Sequence, residues 1–400
     1  MNILLQLALV SLAAGQTIHN AQQPITIEPP NASINVSDEP WSSKYGDQHD
    51  LSWTGLLTFS HLPYTRCLED ATKRFDFAVI GFPFDTTTSY RPGARFGPAG
   101  IRHGSRRQTG RSHSLAWGAS PYEFGAAFMD CGDVPISAYD NAKAMDQMEA
   151  AYSTLIGRPV QGGTAGPLRQ WTAPLAKDGK EHPRVITMGG DHTIVLPILR
   201  SLHKVYGPVS VIHFDSHLDT WDDKRRQGQQ ERITHGSYFA IAAEEGLLRN
   251  NSIHAGIRGK LSGLDDIEHD TTVGFQIIST DDLDDYGIDN IIEFIREHVG
   301  GGPVYLSLDI DVLDPSTAPA TGTPEASGWT AREVKRILRG LSGLNFVGAD
   351  LVEVAPAFDH ADITSILAAD LIVDFMTMMQ LDAPPQPHVI KHFADKKFSR

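Results

Sequence analysis

Three short segments of the sequence place histidine and aspartate side chains directly after apolar runs. The segments are RVITMGGDH, VIHFDSHLDT and VYLSLDIDVLDP, and the side chains are those of His192, Asp215, His217, Asp219, Asp309 and Asp311. Two glycines precede the first histidine and allow the backbone to turn tightly. In the other two segments the polar residues occupy every second position. Alternate side chains of an extended chain point to the same side, so each set converges if the strand conformation continues.

These six side chains indicate a metal site. A carboxylate beside buried apolar segments is strongly disfavoured unless a partner neutralises it. Pairing with helix N-termini or arginines is the alternative, and it explains one such motif better than three together. Four aspartates and two histidines form an oxygen-rich set without sulfur, which favours Mn²⁺ or a similar ion over structural zinc. Four carboxylates carry −4, so two divalent ions leave a neutral centre and allow a shared water to lose a proton near neutral pH.

The surrounding pattern predicts the elements that position these residues. Buried strands are predicted at 75–83, 184–191, 209–217, 252–259, 303–311 and 346–354, and helices at 142–156, 197–206, 289–299, 331–341 and 362–380. Thr330 and Glu333 form a capping box at the start of the fourth helix. Alternating strands and helices predict a three-layer αβα fold with a mostly parallel sheet. The histidine and aspartate segments then lie at the carboxyl ends of strands, where such sheets bind ligands.

Composition excludes several classes of protein. The 400 residues include 34 Lys and Arg against 49 Asp and Glu, a net charge of −15 that argues against binding nucleic acid. A hydrophobic fraction of 41% excludes wholesale disorder. No strand leads into a GxGxxG motif and no phosphate-binding loop of the GxxxxGK[ST] type occurs, so a nucleotide-binding fold is not predicted. An acidic protein of this kind instead suits a cationic small molecule.

The amino terminus predicts entry into the secretory pathway, with an extracellular or vacuolar destination. Residues 3–14 form an apolar run typical of a signal peptide, with cleavage after Gly15, and the run is too short to span a membrane. Sequons at Asn31, Asn35 and Asn250 agree with a secreted glycoprotein. Cys67 and Cys131 could pair there, but the strand-like context FMDCGDV favours a buried thiol for Cys131, and no disulfide is predicted.

Changes in composition along the chain predict its organisation. A signal peptide at 1–15 and a polar arm at 16–50 precede a single catalytic domain at 51–385, and a tail follows at 386–400. Within the domain, residues 157–183 contain Gly and Pro without periodicity and are interpreted as a surface excursion.

The ordered motifs resemble a known family. GGDH, DSHLD and SLDIDVLDP resemble the three metal-binding signatures of the ureohydrolases (arginase, agmatinase and relatives). SYRPGARFGPAGIR, THGS, SIHAGIRG, ATGTPE and DLVEVAPAFD are similar to the agmatinase branch in particular, and the resemblance covers roughly residues 50–385. One departure is Ser216 within DSHLD, where the family commonly has alanine.

The resemblance implies an arginase-like fold, two Mn²⁺ per subunit and a role for each residue. One ion would be held by His192, Asp215, Asp219 and Asp309, and the other by Asp215, His217, Asp309 and Asp311, so that two aspartates bridge. His235 of THGS matches the histidine assigned to proton transfer, and Glu353 of VEVAP matches the carboxylate that grips the substrate guanidinium. Family members form trimers or hexamers, so a homo-oligomer is expected.

The implied reaction is hydrolysis of a guanidino group to urea and an amine. Agmatine is the expected substrate because it is a dication and lacks the α-carboxylate that an acidic site would repel. Its products would be urea and putrescine. Two alternatives remain open. The enzyme could act on another guanidino compound, as a guanidinobutyrase does, or the chain could be a catalytically silent secreted protein that binds metal or polyamine.

Overall fold

Eight parallel strands form the central sheet of this protein. A computed structural model describes residues 41–45, 47, 50–110, 113–162, 172–222 and 232–385. The strands are β1 Phe77–Phe82, β2 Phe128–Asp133, β3 Arg184–Gly189, β4 Ser210–Phe214, β5 Ser252–Ile257, β6 Phe275–Ser279, β7 Val304–Asp309 and β8 Phe346–Val352. Their order across the sheet is β2-β1-β3-β8-β7-β4-β5-β6.

The six predicted strands are all present, and the two additional strands are the edges of the sheet. The six interior strands are buried along their whole length, which explains the continuous apolar runs that predicted them. The edge strands β2 and β6 include exposed or half-buried positions. Their apolar signal is therefore interrupted: the context FMDCGDV of β2 is strand-like, but neither edge was predicted as a strand of the sheet.

Ten helices occur in the described parts of the chain. They are α1 Trp41–Tyr45, α2 Gly97–Gly104, α3 Asn141–Ile156, α4 Val195–Tyr206, α5 Tyr238–Glu244, α6 Leu264–Val273, α7 Asp282–Tyr286, α8 Ile288–Val299, α9 Ala331–Gly340 and α10 Ile363–Met378. The five predicted helices correspond to α3, α4, α8, α9 and α10. The capping box of α9 is formed, since the Glu333 N–H donates to Thr330 Oγ1 and the Thr330 N–H donates to Glu333 Oε2.

The apolar core lies on both faces of the sheet. Along β1, Phe77 and Val79 belong to one apolar cluster, and Ala78 and Ile80 belong to the other. The first cluster includes side chains of α8, α9 and α10, and the second includes side chains of α3, α4 and α5. Alternate side chains of a strand thus pack on opposite helical layers. The prediction of a three-layer α/β fold with a mostly parallel sheet is confirmed.

The interpretation of Cys131 as a buried thiol is wrong, because it forms a disulfide with Cys67. The segment before Cys67 runs beside the edge strand β2, where the Thr65 N–H donates to the carbonyl of Asp130 at 3.0 Å. This neighbour brings the two Cα atoms to 5.1 Å, within the usual range for a disulfide. A sequence separation of 64 residues gave no sign of the approach.

The chain divides into two compact units, Met1–His49 and Asp50–Arg400. The short helix α1 belongs to the first unit, and all eight strands belong to the second. The signal peptide, the sequons at Asn31 and Asn35 and the tail at 386–400 lie outside the described residues, and the excursion is described only at 157–162 and 172–183. The predicted domain boundaries therefore stay a prediction. No helix in the described ranges has the length and apolar character needed to cross a bilayer.

Candidate metal centre

The predicted site residues lie at the carboxyl ends of four strands that are neighbours in the sheet. His192 follows β3, Glu353 follows β8, Asp309 ends β7 and Asp215 follows β4. Since these strands stand in the order β3-β8-β7-β4, their ends form one continuous edge. A parallel sheet presents its strand ends on one side, so segments far apart in sequence meet there.

The chain turns immediately after each strand, and this corrects the expected extended conformation. β4 ends at Phe214, and Asp219 adopts a left-handed backbone with φ of 56°. Asp311 lies in a short 3₁₀ turn, Ile310–Val312, after β7. Glu353 also has a left-handed backbone, with φ of 61°. Non-glycine residues rarely adopt this conformation, which is concentrated at functional sites. The side chains thus converge through tight turns rather than through strand alternation.

His192 faces three carboxylates with one ring nitrogen. Its Nδ1 lies 3.1 Å from Asp215 Oδ2, 3.2 Å from Asp219 Oδ2 and 3.4 Å from Asp309 Oδ2. The other nitrogen, Nε2, lies 2.7 Å from Ser307 Oγ, whose hydroxyl donates to Asp350 at 2.9 Å. Partners of this kind on the far nitrogen orient metal-binding histidines in proteins.

His217 forms a second group with Asp215 and Asp311. Its Nδ1 lies 3.3 Å from Asp215 Oδ1 and 3.2 Å from Asp311 Oδ2, while Nε2 lies 3.6 Å from Glu325. The Ser216 hydroxyl donates to Asp311 Oδ1 at 2.7 Å, and the Ser216 backbone N–H donates to the same oxygen at 3.1 Å. Asp215 therefore directs one carboxylate oxygen towards each histidine.

Burial makes this concentration of carboxylates costly. Burial and the neighbouring Asp215 raise the pKa of Asp219 and of Asp311, and burial with Asp311 raises the pKa of Asp309 well above its usual range. Burial alone would also raise the pKa of Asp215, but the surrounding histidines hold that pKa well below its usual range. Within the described parts of the chain, no lysine or arginine forms an ion pair with these four aspartates.

The donor set fits bound divalent cations. His192 Nδ1 and Asp215 Oδ2 are buried and make no hydrogen bond with good geometry among the described residues, although oxygens surround the nitrogen. The donor atoms form two groups, and within each group all atoms lie within 4.8 Å of one another. The first group is His192, His213, Asp215 and Asp219, and the second is Asp215, His217 and Asp311. Their shared member is Asp215, which is one of the two aspartates expected to bridge.

His235 and Glu353 form a pair beside this centre. His235 Nδ1 lies 3.0 Å from Glu353 Oε1, which also accepts the backbone N–H of His192 at 2.9 Å. Glu353 Oε2 is buried and accepts no hydrogen bond from the described residues. Burial lowers the pKa of His235, but Glu353 and nearby aspartates outweigh burial and raise it to about 9. His235 Nε2 lies 2.7 Å from the hydroxyl of Ser89.

A cavity of about 740 Å³ opens onto the centre. It is lined by His217, Asp219 and Asp309 and also by Ser89 and His235. The remaining lining residues are Thr220, Trp221, Asp222, Arg232, Thr234, Gly236, Ser237, Ser262, Asp266, His269 and Thr323. A small extended ligand in this cavity would reach the aspartates with one end.

Several residues in contact with the site were not singled out from the sequence. Ser89 contacts His235, while Ser307 and Asp350 support His192. His213 Nε2 lies 2.9 Å from Asp215 Oδ2, and burial lowers the pKa of His213 to about 3, which keeps the ring neutral. His213 lies in the same VIHFDSH segment as the predicted ligands, so its position was a usable signal. Ser89 begins SYRPGARFGPAGIR and Asp350 begins DLVEVAPAFD, so both lie inside motifs that carry the family resemblance.

Comparisons with known proteins agree with this geometry. The family model described as the Arginase family matches residues 75–378. The chain is 48% identical to "Putative agmatinase 1" of Schizosaccharomyces pombe, covering 93% of this chain and 94% of that protein. It is 35% identical to a guanidinobutyrase of Pseudomonas aeruginosa, over 81% of this chain and 92% of the relative. A crystal structure titled as a hypothetical agmatinase from Burkholderia thailandensis matches with a TM-score of 0.70 and 33% identity, over 84% of this chain and 95% of the other.

Proposed function

We propose that this chain, which belongs to the arginase family, hydrolyses agmatine to urea and putrescine. One observation carries the proposal: four buried aspartates and two histidines meet at the ends of adjacent strands beside a histidine–glutamate pair, and no described lysine or arginine forms an ion pair with the aspartates. A buried set of this charge suits a pair of cations. The chain is 48% identical to a putative agmatinase and 36% identical to an agmatinase of Proteus mirabilis, and these similarities support the reaction.

Mn²⁺ is the proposed cation. The donors are carboxylate oxygens and histidine nitrogens, a combination that suits Mn²⁺ and lacks the thiolates typical of structural zinc. Both ions would share Asp215 and Asp309. When bound, the ions would lower the pKa of a water molecule and supply the nucleophile for hydrolysis.

Glu353 and His235 would handle the substrate and the proton. Glu353 Oε2 accepts no hydrogen bond from the described residues, so it is available to the N–H groups of a guanidinium. His235 is held protonated by Glu353 at neutral pH. Its Nε2 lies beside Ser89, and both residues line the cavity. His235 would pass its proton to the departing amine.

The outer cavity favours an ammonium group at the far end of the substrate. Asp222 and Asp266 line this part of the cavity. Arg232 lines it too, but its guanidinium already pairs with Asp222 at 3.1 Å and with Glu244 at 2.8 Å. The net charge of these four residues is −2, which attracts the amine of agmatine more than a carboxylate.

Hydrolysis of a guanidino acid is the second candidate, and Arg232 is the observation that favours it. Were Arg232 to leave its partners, its guanidinium could pair with the carboxylate of 4-guanidinobutanoate. The similarity to a guanidinobutyrase makes this substrate the appropriate competitor.

A substrate panel tests the proposal. Purified protein loaded with Mn²⁺ is assayed for urea with agmatine, arginine and 4-guanidinobutanoate, and kcat/KM is compared. We expect agmatine to be preferred and Arg232→Ala to leave its kcat/KM within about twofold. Preference for 4-guanidinobutanoate, lost in Arg232→Ala, would establish the second candidate. No urea from any compound would instead favour the catalytically silent protein, for which metal content and polyamine binding would be measured next.

Secretion is proposed for the same chain. The apolar run at 3–14 and the three sequons support it. The Cys67–Cys131 disulfide adds support, because such bonds persist mainly in oxidising compartments. Asn250 is exposed and therefore accessible for glycosylation. We expect the protein in the growth medium of its native cells, with a mass that falls on deglycosylation and in Asn250→Gln. Retention of an unglycosylated protein with free thiols inside the cell would contradict secretion.

Association of several copies is also proposed. Trp53 and Leu56 are 73% and 77% exposed, and large apolar side chains exposed together often mark an interface. Light scattering after size exclusion should give the mass of a trimer or hexamer, and Trp53→Ser with Leu56→Ser should lower it. A monomer at micromolar concentration would exclude the oligomer.

A further inference from the structure

A chain of buried polar side chains runs from Asp215 away from the cavity. Asp215 Oδ2 lies 2.9 Å from His213 Nε2, and His213 Nδ1 lies 2.7 Å from His254 Nδ1. His254 Nε2 lies 3.0 Å from Asp270 Oδ1, which also accepts the hydroxyl of Thr220 at 2.7 Å. All five residues are buried. The proposed reaction uses only the first of them.

The two histidines are cross-strand partners. His213 on β4 is paired in register with His254 on β5, so the sheet itself sets their separation. The His254 ring stacks on Phe275 with ring centres 3.9 Å apart and planes 9° apart. The ring of Phe239 packs edge-to-face with that of His213, with centres 4.9 Å apart. Aromatic neighbours of this kind leave the two imidazoles little freedom to rotate.

The acceptor at the far end sets the direction of the hydrogen bonds. Asp270 Oδ1 accepts from Thr220, and an ionised carboxylate only accepts, so His254 Nε2 donates to it. Between His213 Nδ1 and His254 Nδ1, one ring donates and the other accepts. His213 Nε2 lies 2.9 Å from Asp215 Oδ2, and the hydroxyl of Tyr238 lies 3.4 Å from the same nitrogen.

We propose that His213, His254 and Asp270 are positioning residues that fix the orientation of the Asp215 carboxylate at the metal centre. Asp215 directs Oδ2 towards His192 and Oδ1 towards His217, at 3.1 and 3.3 Å from their Nδ1 atoms. A carboxylate shared by two ions loses one of them if it rotates. The inference rests on the proposed metal centre. It adds to that centre two outer residues, His254 on β5 and Asp270 on α6. Outer partners of metal ligands commonly contribute about 10–100-fold to metal affinity.

Metal binding by variants of the chain's far end tests the proposal. Asp270→Asn keeps the size of the side chain and removes the charge that orients His254. We expect the dissociation constant for Mn²⁺, measured by equilibrium dialysis, to rise by at least about tenfold for one of the two ions. The electron paramagnetic resonance signal of a coupled manganese pair should weaken in parallel. KM for agmatine at saturating Mn²⁺ should stay unchanged, because Asp270 lies outside the cavity wall.

Asp374→Asn is the matched control. Asp374 is also a buried aspartate, but it lies on α10, away from the strand ends. Its carboxylate accepts a hydrogen bond from Trp117 Nε1 at 2.6 Å and pairs with Lys335 Nζ at 3.0 Å. Its loss should lower thermal stability without changing metal affinity. Equal metal affinity in wild type, Asp270→Asn and Asp374→Asn would overturn the positioning role.

Two further variants decide the question if Asp270→Asn does not fold. Thr220→Val removes the hydroxyl that donates to Asp270 at nearly constant volume, and His254→Gln retains a side-chain donor near His213. Both should raise the dissociation constant for Mn²⁺ above that of wild type, and unchanged binding in both would overturn the proposal. Wild-type protein that binds no divalent ion would instead refute the proposed function, which is a separate result.

Discussion

Two carboxylate clusters in this protein have different kinds of partners. On β2, Asp130 is 1% exposed and accepts two hydrogen bonds at 2.9 Å from Arg102, which also reaches the exposed Asp133 at 2.6 Å. At the metal centre, the buried aspartates lie beside histidines, and no described lysine or arginine forms an ion pair with their carboxylates. The chain supplies its own cation for the first cluster, which we call the β2 cluster, and depends on cations from solution for the second.

The difference separates a structural role from a functional one. A buried pair of opposite charges, such as that of the β2 cluster, is complete without a ligand, and removing either member exposes the cost of burying the other. The charges of the metal centre are balanced only when cations bind, so the free-energy cost of burying its aspartates is coupled to metal affinity. Changes in the β2 cluster should therefore act on stability, and changes at the metal centre on metal content and activity.

The largest effect is expected for Asp215→Asn. The substitution removes a negative charge that both ions would share, so kcat/KM should fall by at least about 10³-fold, equivalent to about 4 kcal/mol. Elemental analysis of the purified variant should find fewer than two ions per subunit. Unchanged metal content would contradict the bridging role of Asp215.

His235→Asn should lower kcat by about 10²- to 10³-fold, because the departing amine loses its proton donor. The pKa of His235 is raised to about 9, so the ring keeps its proton at neutral pH and loses it above pH 9. Wild-type kcat should therefore decline as the pH rises through 9, and the variant should lack this decline. Both enzymes should contain the same amount of metal, and a variant depleted of metal would assign His235 to the metal centre instead.

Arg102→Met tests the β2 cluster. It leaves Asp130 buried without its cation and should lower the free energy of unfolding by about 3–5 kcal/mol in denaturant titrations. Metal content and kcat/KM of the folded variant should match those of wild type. Adding Asp130→Leu to Arg102→Met should restore much of the stability, because no unpaired charge is left. A loss of metal in Arg102→Met would remove the distinction between the two clusters.

The smallest effect is expected for Ser216→Ala, which introduces the residue common in similar family members. Asp311 Oδ1 loses the Ser216 hydroxyl but keeps the backbone N–H at 3.1 Å, so one donor remains. We expect a loss of about 1 kcal/mol in metal binding, or roughly fivefold in affinity. Competition with a chelator measures it, and a loss as large as that of Asp215→Asn would show that the hydroxyl has a greater role.

Much of the architecture was predictable because the pattern of apolar residues in the sequence indicates which segments are buried. The interior strands have apolar side chains on both faces and therefore read as continuous apolar runs. The edge strands do not, and the five helices α1, α2, α5, α6 and α7 are short or polar enough that no clear helical period identified them. The glycines and prolines of residues 89–98 favour a shaped loop over a helix, and the structure corrects this, because Ala94–Phe96 form a 3₁₀ turn and α2 begins at Gly97.

The sequence by itself determined which side chains are available for chemistry, because burying aspartates directly after apolar strands costs free energy unless a cation neutralises them. Only the tertiary structure decided which of them meet. The order β3-β8-β7-β4 is set by how helices cover both faces of the sheet, and that packing is invisible to local spacing. The same packing brought Cys67 to Cys131 and aligned His213 with His254. Contacts between neighbouring strands depend on which strands become neighbours, and that choice is made by the whole chain.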